Sequence, residues 1–229
     1  MTVKTVLVTG SSKGLGRSIA LLFAKKKYNV IIHGRDGEGL QEVERNILKA
    51  GANCDVVRGE ITSEVTMNRL YGAAKKRDID ILINNAGIYL QKPFANMTSA
   101  EFRRVVEINL IAPVLLTKKI YPLLERKKSG LIVNINSMAG RQPSAGESAY
   151  AASKHGLRGF TKVLQYEANK DRIRVVDIYP GAMNTAVIEG RREVEMCIQV
   201  EDVADLIYRL CKDYRSMRIS EINLSRRNY

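Results

Sequence analysis

Tyr150 and Lys154 stand four residues apart, thirteen residues after Ser137. Side chains at that spacing share one face of a helix, so the Lys154 ammonium can sit beside the Tyr150 phenol. A neighbouring positive charge favours phenolate and lowers the pKa from its ordinary value of about 10. The pair is therefore suited to general acid/base chemistry near neutral pH. Tyr-x-x-x-Lys also occurs on solvated helix faces, so its meaning depends on the residues around it. Foremost among these is the run Thr9-Gly10-Ser11-Ser12-Lys13-Gly14-Leu15-Gly16. Glycines between a strand and a helix allow a tight turn and let a pyrophosphate approach the helix N-terminus. Gly10, Gly14 and Gly16 are spaced Gly-x-x-x-Gly-x-Gly, not Gly-x-Gly-x-x-Gly. One group of residues can move a proton; the other can hold a dinucleotide.

The elements that must position them alternate along the chain. Short apolar, β-branched runs occupy 3–9, 30–33, 54–57, 79–83, 130–136, 174–178 and 219–224. Helical periodicity fills 15–27, 40–50, 64–76, 99–125, 148–169 and 200–210. Continuous apolar strands bounded by helices predict a parallel sheet covered on both faces. No linker, repeat or low-complexity run divides the chain, which predicts one doubly wound, Rossmann-type α/β domain over 1–229. In such sheets ligands bind beyond the carboxyl ends of the strands. The glycine turn follows the first candidate strand and His33-Gly34-Arg35-Asp36 the second. Asn84-Asn85-Ala86-Gly87 follows the fourth, Ser137 the fifth and Pro180-Gly181 the sixth.

Composition narrows the function classes. Hydrophobic residues make up 45 % of the 229, enough for a real core. No run of 18 apolar residues is present, so no membrane span is expected. The N-terminus runs straight into a strand pattern without signal-peptide anatomy, and the expected location is the cytoplasm. Cys54, Cys197 and Cys211 lack metal-ligand spacing, and with only His33 and His155 no metal site is expected. Both histidines read as ordinary residues. The net charge of +13 is scattered, much of it at predicted helix ends. It points to anionic small molecules or acidic carrier proteins more than to nucleic acid.

Cofactor choice turns on the residues after the second strand, where a carboxylate would hold the ribose hydroxyl of NAD. Arg35 stands there, with Lys13 in the glycine turn. Two cations suit a 2′-phosphate and favour NADP(H) over NAD(H). Asp36, if it faces the ribose, reverses the preference.

These motifs, in register along nearly the whole chain, resemble the short-chain dehydrogenase/reductase family. Thr9–Gly16 is similar to its cofactor turn, Asn84–Gly87 to its strand-four motif, and Asn109, Ser137, Tyr150 and Lys154 to its catalytic tetrad. The resemblance implies that Tyr150 exchanges a proton with the substrate oxygen while Ser137 polarises it. Lys154 would lower the phenol pKa and bond the nicotinamide ribose, and Asn109 would hold a relay water. Asn84 is expected to bond backbone groups of a neighbouring strand. Cofactor contacts are implied for Gly10, Ser12, Lys13, Gly14, Leu15, Gly16, Arg35, Ile61, Asn85, Ala86 and Gly87. Tyr150, Lys154, Pro180, Gly181, Met183 and Thr185 complete that set. Glu60 replaces the family's usual Asp at the adenine.

Residues 186–199 would form a short, charged lid over a small polar substrate. The ending Ser220 to Tyr229 lacks the glycine-rich motif of carrier-protein ketoacyl reductases. The expected activity is thus NADP(H)-dependent oxidoreduction of a small carbonyl or secondary alcohol. The alternatives are a 3-oxoacyl-(acyl-carrier-protein) reductase and, further off, a non-catalytic dinucleotide-binding regulatory protein. Assembly as a dimer or tetramer through the helices at 99–125 and 148–169 is also implied.

Overall fold

Seven parallel strands form one sheet in the computed structural model, which describes residues 3–184, 197–211 and 217–226. In chain order they are β1 (Thr5–Val8), β2 (Asn29–Gly34), β3 (Cys54–Arg58), β4 (Ile81–Asn84), β5 (Leu131–Ile135), β6 (Arg174–Pro180) and β7 (Glu221–Leu224). Their spatial order is β3-β2-β1-β4-β5-β6-β7. The order reverses between β1 and β4, and a crevice opens at such a point in doubly wound sheets.

Alternation along each strand builds two cores. Val6, Val8, Val30, Ile32, Ile81 and Ile83 face one side, against α1 (Gly14–Lys25), α2 (Gly37–Lys49) and α7 (Val200–Arg209). Leu7, Ile31 and Leu82 face the other, against α3 (Glu64–Lys76), α5 (Ala112–Lys127) and α6 (Ser148–Glu167). Side chains such as Phe23, Leu7 and Ile19 are wholly buried, each worth roughly 1.5–3 kcal/mol of transfer free energy. The expected doubly wound α/β architecture is the observed one.

Two local departures bear on the site. Helix α2 begins at Gly37, three residues before the predicted start, because the Asp36 side chain accepts from Gly39 N at 3.1 Å and caps it. The predicted helix over 99–125 is also not continuous α-helix. It is α4 (Ser99–Val106), a π-helical turn (Glu107–Ile111) and α5, which runs on to Lys127. A π turn inserts extra chain into a helix and re-aims its side chains, and such turns recur at functional sites. This one carries Asn109.

A buried polar ladder fixes the helices to the strands. Asn84 and Asn134 are register partners on β4 and β5. Asn84 Nδ2 donates to Thr117 Oγ1 of α5 at 2.9 Å and to Asn134 Oδ1 at 2.8 Å. Asn134 Nδ2 donates to Thr161 Oγ1 of α6 at 2.8 Å. Asn84 is structural, as its position suggests, but its partners are side chains and not strand backbone.

Candidate active site

Strand ends β1, β2, β4, β5 and β6 converge on a cleft of about 700 Å³. Gly10, Gly14 and Gly16 line one end, and two of them have little room for substitution. A Cβ on Gly10, which has φ +67°, would lie 2.9 Å from Ala86 Cα; one on Gly16 would lie 2.1 Å from Gly10 O. Asn85 locks this turn: its Nδ2 donates to Thr9 O at 2.8 Å and to Gly10 O at 3.0 Å. Thr9 Oγ1 in turn accepts from the backbone N–H groups of Asn85 and Ala86, both at 3.0 Å.

His33 reads as an ordinary residue in the sequence, yet it supports the same turn. Its Nε2 lies 3.1 Å from Gly59 O and can only donate there, leaving Nδ1 to accept from Gly10 N at 3.4 Å. Burial lowers its pKa to about 4, so the ring is neutral and the tautomer is set by these two partners. No motif flagged it, because its partners lie on other strands' ends.

At the far end of this half, Arg35 and Glu60 line the cleft and pair at 3.3 Å. Arg58 Nε donates to Arg35 O at 3.2 Å. Asp36, occupied with the α2 cap, is not among the cleft-lining residues. Ser12, Lys13, Leu15, Ile61, Ala86, Gly87, Gly181 and Met183 also line it. Pro180 does not; it ends β6 opposite Leu224. Thr185 and residues 186–196 of the expected lid lie outside the described residues. The two described flanks of that segment meet: Asn184 N donates to Ile198 O at 2.9 Å and Ile198 N to Ala182 O at 3.0 Å.

The floor of the cleft carries the candidate acid/base group. Ser137 follows β5 and caps a single 3₁₀ turn, its Oγ accepting from Ala139 N at 3.2 Å. Its hydroxyl shares the cleft with the Tyr150 phenol and acts to lower that pKa. Burial outweighs this and holds the phenol above its ordinary value, with the Glu147 carboxylate pushing the same way. Lys154, 5 % exposed, donates from Nζ to Ile135 O at 2.8 Å and stands 5.8 Å from the centre of the Tyr150 ring. Burial lowers its pKa to about 8, opposed by the negative charge of Asp177. The pair does share one helix face, but here burial, not Lys154, dominates the phenol.

Asn109 lies behind the lining. Its Oδ1 accepts from Ile88 N and its Nδ2 donates to Ile88 O, both at 2.9 Å, with Ser153 Oγ at 3.3 Å. It clamps the loop after β4 to α6. Two lining residues that sequence reading missed border Tyr150. Tyr89 packs edge-on to its ring at 5.0 Å and donates from its hydroxyl to Glu147 Oε1 at 2.9 Å. Among the described residues no cluster of His, Cys, Asp or Glu could hold a metal, and no helix is long and apolar enough to cross a membrane.

Fold and cleft together define a Rossmann-type α/β protein with a tyrosine and a buried lysine on the lining of its crevice. The sequence profile of the short chain dehydrogenase family matches residues 4–195, and the chain belongs to that family. Its members are oxidoreductases that bind a nicotinamide dinucleotide. Over 188 residues the chain is 38 % identical to 3beta-hydroxysteroid dehydrogenase 1 of Eggerthella lenta, covering 80 % of this chain and 72 % of that one. It is 32 % identical to a 3-oxoacyl-(acyl-carrier-protein) reductase of Aquifex aeolicus, covering 96 % and 94 %. A metagenomic short-chain oxidoreductase solved in complex with NADP superposes with a TM-score of 0.85 at 30 % identity, over 97 % of both chains.

Proposed function

We propose that the protein is an NADP(H)-dependent reductase or dehydrogenase of a small carbonyl or secondary-alcohol substrate. Cofactor and catalytic residues would lie in a single domain. The observation that carries this reading is the meeting of Ser137, Tyr150 and buried Lys154 on the lining of the cleft that also holds the glycine turn. The glycine turn, with no room for Cβ atoms at Gly10 and Gly16, fits a pyrophosphate. A nicotinamide dinucleotide would be held by that turn and by lining residues as far as Met183, and would supply or accept the hydride.

This chain's residues do the rest. Ser137 donates to the substrate oxygen and holds it against Tyr150. Tyr150, kept protonated by burial, delivers its proton to that oxygen in reduction and takes it back in oxidation. Lys154 stabilises the phenolate left behind, and Asn109 orders the path by which the proton is replaced. Replacing Tyr150 with Phe should lower turnover roughly a hundredfold to ten-thousandfold. Unchanged turnover would remove Tyr150 as the acid; cofactor binding with no turnover in the wild-type protein would favour a regulatory role.

Arg35 faces the cleft while Asp36 caps α2, which supports NADP(H). The kcat/KM ratio for NADPH over NADH should exceed one; a smaller ratio overturns the assignment. Arg35→Ala should raise the KM for NADPH about tenfold or more and leave that for NADH nearly unchanged.

A 3-oxoacyl-(acyl-carrier-protein) reductase is the second reading, favoured by the nearly full-length likeness to such an enzyme and by the +13 charge. An assay of acetoacetyl thioester against a panel of small ketones and aldehydes separates the two. Thioester activity far above the rest would reverse the ranking. Self-assembly, as a dimer or tetramer, is proposed through α5 and α6, whose outer faces present Leu115, Val163 and Tyr166 at 44, 56 and 83 % exposure. A cytoplasmic location is likewise proposed.

A further inference from the structure

Behind the cleft floor lies an ionisable group that the tetrad does not include. Asp177, in mid-β6, is 1 % exposed. Its Oδ2 accepts from Asn136 Nδ2 at 3.1 Å and from the Tyr179 hydroxyl at 2.6 Å. Its Oδ1 is buried and has no hydrogen-bond partner. Asn136 turns its own Oδ1 the other way and accepts from the backbone N–H of Ser137 at 3.0 Å. A single side chain thus separates the carboxylate from the backbone of Ser137.

The surrounding charges form a closed set. The Arg141 guanidinium lies over the Tyr179 ring, 4.2 Å from its centre, and pairs with Glu221 of β7. Lys162 of α6 approaches Glu221 at 3.9 Å. The Glu221 charge opposes ionisation of Asp177, and Lys154 of α6 favours it. Lys154 Nζ bonds Ile135 O while Asp177 bonds the next residue, Asn136, so the two buried groups sit against adjoining residues and each favours the other's ionisation.

Stability does not account for this arrangement. A buried carboxylate with an unpaired oxygen is costly, and apolar residues of similar size often replace buried charges without loss. None of Asp177, Asn136 and Tyr179 belongs to the motifs that carry the family resemblance.

We propose that Asp177, clamped by Asn136 and Tyr179, is a positioning residue that keeps Lys154 cationic and anchors Ser137 from beneath. It touches neither substrate nor cofactor. Its charge opposes the effect of burial on the Lys154 ammonium, and its bond to Asn136 orients the amide that holds the Ser137 N–H. Burial raises Asp177 to about 6 and lowers Lys154 to about 8, so both are ionised together only in the interval between. The role rests on the acid/base reading of Tyr150 and Lys154, but its test needs no turnover.

The Lys154 side-chain signal can be followed by NMR in protein carrying isotope-labelled lysine, assigned by its loss in Lys154→Arg. Titration of wild type and Asp177→Asn should place the Lys154 midpoint about one pH unit lower in the variant. Asn keeps the shape and an acceptor oxygen, and above pH 6 the variant should melt no lower than wild type. Tyr179→Phe provides the second variant: with a donor gone, the Asp177 carboxyl midpoint, followed by NMR, should rise, while Lys154, which titrates above it, stays in place. A Lys154 midpoint unmoved in folded Asp177→Asn, or an Asp177 midpoint unmoved in folded Tyr179→Phe, overturns the proposal. Should Tyr150→Phe keep full turnover while Lys154 still responds to Asp177, the acid/base reading fails and the electrostatic coupling stands.

Discussion

Lys154 is held in the fold against its own solvation. The drop from 10.5 to about 8 means that the folded chain binds this proton less tightly than the unfolded chain does. Below pH 8 both states carry the charge and the whole penalty, about 3 kcal/mol, opposes folding; it fades between pH 8 and 10.5. Lys154→Met should therefore abolish proton transfer yet stabilise the protein. The gain should be about 2 kcal/mol at pH 7, after allowing for the lost bond to Ile135 O, and near zero or slightly negative by pH 10.5. Urea titrations at the two pH values test this. That Ser137, Tyr150 and Lys154 meet at one cleft was legible in the sequence, because their spacing lies within one helix or follows a strand end. His33, Asn136 and Asp177 were not. Their partners are set by which strands neighbour one another and in what register, and no local pattern records that.

Elements were legible to within a few residues where apolar periodicity is strong. Helix α3 begins and ends where its pattern does, at Glu64 and Lys76. Ends moved where a side chain or turn chemistry intervened, as Asp36 did for α2. The π turn at Glu107–Ile111 left no trace, because one turn within a long apolar stretch is too short to mark a break in its period. Glycine positions give the sharpest contrast at this scale. Gly16→Ala drives a methyl group into Gly10 O and Asn85 Nδ2, so it should cost about 3 kcal/mol or more and weaken NADPH binding. Gly72→Ala, exposed in α3 with nothing within 4 Å of the new Cβ, should stabilise by roughly 0.5–1 kcal/mol. Thermal melts and NADPH fluorescence titrations of the two variants check both signs.

At the scale of the whole molecule, the +13 charge acts on approach and not on fold. The KM for NADPH should rise with ionic strength between about 0.01 and 0.2 M salt, and more steeply than that for NADH, which lacks the 2′-phosphate. Initial-rate measurements at several salt concentrations test this. Assembly gives a second expectation. Leu115→Arg combined with Val163→Glu should shift the protein to monomer in light scattering, if α5 and α6 form the contact. Neither the net charge nor a periodic stripe distinguishes a face left for a partner from one left for water. The exposure of Val163 and Tyr166, which motivates the expectation, is visible only in the fold.

The ladder Thr117–Asn84–Asn134–Thr161 has a mechanical consequence. Apolar contacts tolerate sliding, whereas hydrogen bonds of 2.8–2.9 Å do not. A helix displaced by one residue along its axis moves about 1.5 Å, enough to disengage either threonine. Two asparagines therefore serve as a vernier, setting the height of α5 and α6 against the strand tips that bear the site. A load applied to the outer face of either helix would reach those tips through directional bonds before it was absorbed by the packing.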